Sequence, residues 1–179
     1  MHIEPTDRWS NDLVTLRLLR PQDVTDDYIA WLNDPEINRY LESRFTIQNR
    51  TGVEAFVDKM LDDDRVLFLA IHDLGLGRHV GNIKLGPVDR PHELGEIGLM
   101  IGDRAAWNRG IGTAAIRLVM AIAKHELGLR RLTAGCYASN IGSAKAFEKA
   151  GFRVEAVRPA HFLLDGHPED LILLGAFIV

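Results

Sequence analysis

The residues whose types and spacing could do chemistry are densest between Glu96 and Thr113, Glu-Ile-Gly-Leu-Met-Ile-Gly-Asp-Arg-Ala-Ala-Trp-Asn-Arg-Gly-Ile-Gly-Thr. An apolar run ends in a loop, and the loop's Arg109-Gly110-Ile111-Gly112-Thr113 opens a long apolar stretch with helical spacing. Glycines there let backbone N–H groups approach an oxyanion closely, and a helix start adds partial positive charge. Arg104 and Arg109 bring full positive charges to the same loop of a chain whose formal net charge is −4. This predicts a phosphate or diphosphate cradle; the alternative is a loop whose glycines serve only tight packing. A P-loop needs a lysine, and none stands here. Gly110, Gly112 and Ala115 match the dinucleotide fingerprint in spacing. The loop from Ile101 to Gly110 is too long for that motif, however, and the strand expected over Arg131 to Ala138 carries no carboxylate. Gly75, Gly77 and Gly81 lead into a strand and read as a hairpin turn.

The elements that must position this loop follow from periodicity. Val14 to Arg20 alternates and reads as a first strand ending at Pro21. Val24 to Leu32 has helical spacing, Asp34-Pro35 reads as an N-cap with proline at the first helical position of a short turn through Leu41, and Asn49 to Leu61 carries an apolar stripe. Val66 to His72, Val80 to Val88 and Leu94 to Ile101 predict a three-stranded antiparallel meander. Thr113 to Leu127 predicts a helix stopped at Gly128, Arg131 to Ala138 a strand, and Ile141 to Ala150 a helix stopped by Gly151. Phe152 to Leu164 and Leu171 to Val179 predict a hairpin turning at Asp165-Gly166. The fold class expected is α/β with a mixed sheet, a single domain over residues 1–179.

With 179 residues, 46% hydrophobic and 26% charged, the chain has the composition of a globular protein, which excludes disordered and collagen-like classes. An acidic balance does not suit nucleic-acid phosphates or anionic lipid, so neither is an expected partner. The lone Cys136 allows no internal disulfide, and the seven histidines are scattered without metal-ligand spacing, so no metal is expected. The opening Met-His-Ile-Glu-Pro-Thr-Asp lacks the apolar core of a signal peptide, and the longest apolar stretch, Leu171 to Val179, is too short to span a bilayer. A cytoplasmic protein is expected. The apolar C-terminal strand leaves room for a homodimer.

Trp107-Asn108-Arg109-Gly110-Ile111-Gly112-Thr113 resembles the acetyl-CoA diphosphate loop of the GNAT N-acetyltransferase superfamily. Tryptophan at its first position is the form of the ribosomal-protein N-terminal acetyltransferase-like branch and its antibiotic- and sugar-acetylating relatives. Asn140-Ile-Gly-Ser143, followed by Phe147-Glu-Lys-Ala-Gly151-Phe152, resembles that branch's second signature. The opening Leu16-Arg17-Leu18-Leu19-Arg20-Pro-x-Asp23 and the Asp165-Gly166 hairpin also fit, so the resemblance covers nearly the whole chain. It implies a three-layer fold with a splayed mixed central sheet and helices on both faces. It further implies that acetyl-CoA is the cosubstrate. The pantetheine arm would pair with Leu99, Met100 and Ile101, and the diphosphate would rest on the amides from Arg109 to Thr113. Arg104, Trp107, Asn108, Ser143 and Phe147 complete the cofactor contacts that the resemblance implies. Asn140 either bonds the pantetheine or caps the helix at Ile141, and the two roles can coexist.

Acetyl transfer needs an uncharged amine against the thioester, stabilisation of the developing oxyanion, and a proton for the departing thiolate. Glu96 precedes the glycine loop on the expected cofactor strand, and in spacing it resembles the glutamate that family members use as base. Glu42, in Tyr40-Leu-Glu-Ser-Arg44, is the reserve, because that region lines the acceptor side in relatives. Phe147 departs from the family pattern: many members carry tyrosine there as the acid. Ser143, four residues earlier on the same helix face, resembles the serine assigned this role in the Asn-x-x-Ser branch. Cys136 has no base beside it in sequence and reads as a small buried hydrophobe. The expected function is therefore acetyl-CoA-dependent N-acetylation by direct attack in a ternary complex. The acceptor is a primary amine, either a protein N-terminus or a small molecule such as an aminosugar. Arg39, Arg44 and Arg158 could suit an acidic or phosphorylated one. The alternative is a non-catalytic acyl-CoA-binding module, favoured by Phe147 and opposed by Glu96 with Ser143.

Overall fold

The computed structural model describes residues 8–178. Eight strands form one sheet in the order β1-β2-β3-β4-β5-β6-β8-β7. They are β1 (Arg8–Ser10), β2 (Val14–Leu18), β3 (Leu67–Asp73), β4 (Arg78–Leu85), β5 (Leu94–Ile101), β6 (Arg131–Tyr137), β7 (Arg153–Leu164) and β8 (His167–Phe177). Neighbours pair antiparallel except β5 with β6, the single parallel contact. Five α-helices cover the two faces: α1 (Asp26–Asn33), α2 (Pro35–Asn38), α3 (Arg50–Asp62), α4 (Ile111–His125) and α5 (Ile141–Ala150). The expected mixed α/β architecture, with helices on both faces, is the one observed.

Each face has its own apolar cluster. Under α4 and α5, Ile111, Ala115, Ile116, Val119 and Ile122 pack on strand residues such as Leu69, Ile83, Ile97 and Leu132. On the other face Tyr28, Trp31, Leu32, Val53 and Val57 pack on Phe68 and Ala70. Gly102 is required at its place, since a Cβ there would enter the Trp31 ring at 2.1 Å. Thr25, Asp34, Asn49 and Asn140 each accept a first-turn backbone N–H; the Asp34 and Asn140 caps are those the sequence predicts, while the first helix, expected from Val24, begins at Asp26. The hairpin turns at Asp165 and Gly166 with φ of 51° and 79°, the left-handed pair of a type I′ turn.

The feature that makes a site is a partial divorce of two strands. β5 and β6 share only three register pairs, Leu94 with Arg131, Gly95 with Leu132 and Glu96 with Thr133. Beyond them β5 continues along β4 through Ile101, while β6 turns to β8 through Tyr137. The sheet therefore opens into a wedge with bare backbone on both sides.

Three expectations are corrected. The first strand of the sheet is Arg8–Ser10, ahead of Val14, and its three residues carry no readable alternation. The helix expected from Thr113 begins at Ile111, so the second loop glycine, Gly112, is helical. The apolar C-terminal strand, expected from Leu171, begins at His167 and lies inside the sheet between β6 and β7.

Candidate active site

A cleft of about 690 Å³ fills the wedge and runs from the start of α4 to the turn after α2. One half of it is built by the loop between β5 and α4. Asn108 and Gly110 both take left-handed backbone, φ 59° and 80°, which turns the chain sharply into the helix. Gly110 is the N-cap and offers no side chain, so the amides of Ile111, Gly112 and Thr113 keep the orphan donors of a helix start and line the cleft. With the positive end of α4 behind them, these amides suit a diphosphate. A Cβ on Gly112 would press Leu99 Cδ2 at 3.2 Å, so that glycine lets α4 sit close on β5.

The expected coenzyme contacts divide into two groups. Leu99, Met100, Ile101, Trp107, Asn108, Gly110, Ile111, Gly112, Thr113, Asn140, Ser143 and Phe147 line this one cleft. Arg104 and Arg109 do not. The Arg109 guanidinium turns back to Asp73, 2.9 Å away and only 1% exposed, and ties down the turn after β3. Arg104 is held by Asp34 at 2.6 Å and Glu36 at 2.8 Å. Both arginines are thus spent on folding the loop, and the cationic side chains on this part of the cleft are Lys145 and Lys149 of α5, a pair that no sequence motif marks. A lysine on a helix face reads as solvation until its neighbours are known.

Asn140 Oδ1 caps α5 by accepting the Ser143 amide at 3.1 Å, which leaves its Nδ2 donors free of that cap. The indole of Trp107 donates to the Ile101 carbonyl at 2.9 Å and fixes the far end of the wedge. Phe147 is buried edge-on against Phe152, their centroids 5.1 Å apart. Cys136 also lines the cleft; burial, and then the negative charge of Glu148, pushes its thiol pKa up, away from the thiolate a nucleophile needs.

Glu96 stands on the solvent-exposed side of β5, at the narrow end of the wedge, just outside the residues that line the cleft. Its side chain shares a strand face with Gly98, which does line it and whose missing Cβ leaves open space. Glu42 lines the end of the cleft away from the start of α4. Its Oε1 accepts the phenol O–H of Tyr137 at 2.6 Å, and the Tyr137 oxygen accepts from Arg44 at 2.9 Å. The Tyr137 ring lies flat on Phe162, with 4.1 Å between centroids. Burial first, then the Glu42 carboxylate, raises the Tyr137 pKa. No sequence motif marks Tyr137; alternation along β6 puts it on the same face as Gly135, and that was the available signal.

A family profile described as "Acetyltransferase (GNAT) domain" matches residues 14–153. The chain is 31% identical over 127 residues to "Probable N-acetyltransferase YjcK" of Bacillus subtilis, covering 70% of each. Among solved structures it is similar to the spermidine N-acetyltransferase of Vibrio cholerae crystallised with CoA and spermine, with TM-score 0.82, 18% identity, and 93% and 96% of the two chains covered. It is also similar to Mycobacterium smegmatis RimJ in complex with CoA-disulfide, with TM-score 0.81, 20% identity, and 96% and 87% covered.

Proposed function

The chain belongs to the GNAT acetyltransferase family and is an acetyl-CoA-dependent N-acetyltransferase, and from that premise we propose how its residues divide the work. The observation that carries the proposal is the uncapped start of α4 opening onto the unpaired edges of β5 and β6. The amides from Arg109 to Thr113 hold the coenzyme diphosphate, and Lys145 and Lys149 add the charge that Arg104 and Arg109 do not. The pantetheine lies along Leu99, Met100 and Ile101 as an added strand, and Asn140 Nδ2 donates to it. This aims the thioester at the narrow end of the wedge, over the bare surface of Gly98 and beside Glu96.

The acceptor nitrogen attacks the thioester carbonyl directly, within a ternary complex. Glu96 takes its proton, through water where the carboxylate does not reach. Among the described residues its carboxylate makes no hydrogen bond, so its lone pairs are available. Ser143 lines the cleft, its hydroxyl likewise without an internal partner, and relays a hydrogen bond to the departing sulfur. The acceptor is a primary amine on a protein N-terminus or a small molecule.

The reaction belongs to the cytoplasm in this reading; separately, no helix among the described residues is long and apolar enough to cross a membrane. A second copy of the chain pairs along β7, the edge strand, where Val154 and Val157 are exposed. Sedimentation at increasing concentration tests that pairing: a dimer supports it, and a monomer throughout ends it. The functional reading is tested by thiol release from acetyl-CoA with a panel of primary amines, read with the mass of the acetylated product. Coenzyme binding without product on any amine would contradict it.

A further inference from the structure

The cleft has two chemically different ends. Near the start of α4 its charged side chains are Lys145 and Lys149. At the other end they are Glu36, already paired with Arg104 at 2.8 Å, and Glu42, set among the rings of Tyr40, Tyr137 and Phe162. Arginines stand close to this second end but are already engaged. Arg39 pairs with Asp165 at 2.9 Å, and Arg44 donates to the Leu41 carbonyl at 2.9 Å, the Leu163 carbonyl at 3.3 Å and the Tyr137 phenol at 2.9 Å. An anionic acceptor therefore meets the Glu42 carboxylate with the neighbouring arginines already engaged, while a cation is drawn to that carboxylate.

Glu42 is fixed in direction although it stands on a short exposed turn. One oxygen is committed to the Tyr137 O–H at 2.6 Å, with Arg44 beside it at 3.4 Å. The Tyr137 ring packs against Phe162 and Tyr40, their centroids 4.1 Å and 5.6 Å from its own. The second oxygen, Oε2, makes no hydrogen bond among the described residues. A carboxylate locked by one oxygen and open at the other is a directed acceptor for an N–H⁺ group. Gly98 lies two residues past Glu96, and Tyr137 four past its register partner Thr133, so Tyr137 stands about two residue rises, ~7 Å, further along the strand direction, to which the width of the wedge is added.

Resting on the acetyltransferase reading, we propose that Glu42 selects acceptors carrying a second cationic group a few carbons from the reacting amine, and that Tyr137 is the positioning residue that aims it. The reacting nitrogen sits over Gly98 beside Glu96. The second ammonium reaches Glu42 Oε2. The acceptor class is thus a short diamine or a chain of similar charge spacing, not an acidic or phosphorylated amine.

Three matched acceptors test this at saturating acetyl-CoA: 1,4-diaminobutane, n-butylamine and 4-aminobutyrate. The expected order of kcat/KM is the order named, with about tenfold between the diamine and the monoamine, the size of a charge-assisted hydrogen bond. In Glu42→Gln the diamine-to-monoamine ratio falls to within about twofold. Tyr137→Phe keeps the ring stack and loses the O–H; there the ratio falls severalfold through KM for the diamine, while KM for acetyl-CoA holds, which a merely structural defect would not produce. Equal kcat/KM for all three amines, or a ratio that survives Glu42→Gln, overturns the inference while leaving the acetyltransferase reading in place. Failure to acetylate any of the three, or any amine of the wider panel, overturns both.

Discussion

Glu96 and Thr133 are the last register partners that β5 and β6 share. One residue further on, each strand keeps only its outer neighbour, and the wedge begins. The carboxylate proposed as base therefore stands at the apex of the opening, where the end of a coenzyme arm laid along Leu99 to Ile101 would come to rest. The position is topological: a single parallel contact in an otherwise antiparallel sheet puts it there.

Removing the carboxylate tests its role. Glu96→Gln is expected to lower kcat/KM about 10²-fold at neutral pH, the lower range for a general base, and to recover part of the loss as pH rises and the amine deprotonates in solution. A pH–rate profile with the same shape as that of the unaltered enzyme would remove Glu96 from the mechanism.

Gly112→Val is expected to raise the coenzyme dissociation constant by at least about tenfold. A Cβ there would already stand 3.2 Å from Leu99 Cδ2, so the branched side chain must push α4 off the strand that forms the pantetheine wall. Calorimetric titration with CoA reads it directly; an unchanged affinity means the glycine loop is not the cradle.

Arg109 gives the contrasting case. Because its guanidinium serves the buried Asp73, Arg109→Ala should cost stability, about 1–2 kcal/mol, below the figure for a fully buried pair because Arg109 is 42% exposed. Urea unfolding measures this. Unaltered stability with a large loss of CoA affinity would return Arg109 to the diphosphate.

The fold carries an acid-sensitive pair that is not among the residues lining the cleft. Burial, then the charges of Arg17 and His79, hold the His72 imidazole down to about 4, and burial also lowers His79, which stacks on it with 5.6 Å between centroids. The native state disfavours the protonated ring, so the unfolded chain binds protons first as pH falls. The stabilisation is complete above the ordinary histidine value of about 6.5 and is lost as pH drops toward 4. His72→Asn should flatten that limb. Denaturation midpoints at pH 7, 5.5 and 4.5 check it, and parallel curves for the two proteins would contradict it.

Much of this was legible before any coordinates, for identifiable reasons. Elements with strong punctuation were readable: α5 between the Asn140 cap and the Gly151 stop, and the hairpin at Asp165-Gly166. The glycine loop was readable because only a few backbone tasks require Gly-x-Gly before a helix. The directions of long side chains were not. Arg104 and Arg109 sit in the loop by sequence, yet their partners come from α2 and β3, distant in the chain. Tyr137 was missed for the same reason, since Glu42 lies 95 residues away. Sheet edges were equally hidden: nothing local says that β8 inserts beside β6 and leaves β7 outside.

The most direct measurement is a crystal structure of the enzyme with acetyl-CoA. The account predicts diphosphate oxygens within hydrogen-bonding distance of the amides between Arg109 and Thr113. It also predicts pantetheine between β5 and β6, and the acetyl group over Gly98. Coenzyme seated elsewhere, or a wedge closed by strand pairing beyond Glu96 and Thr133, would contradict it.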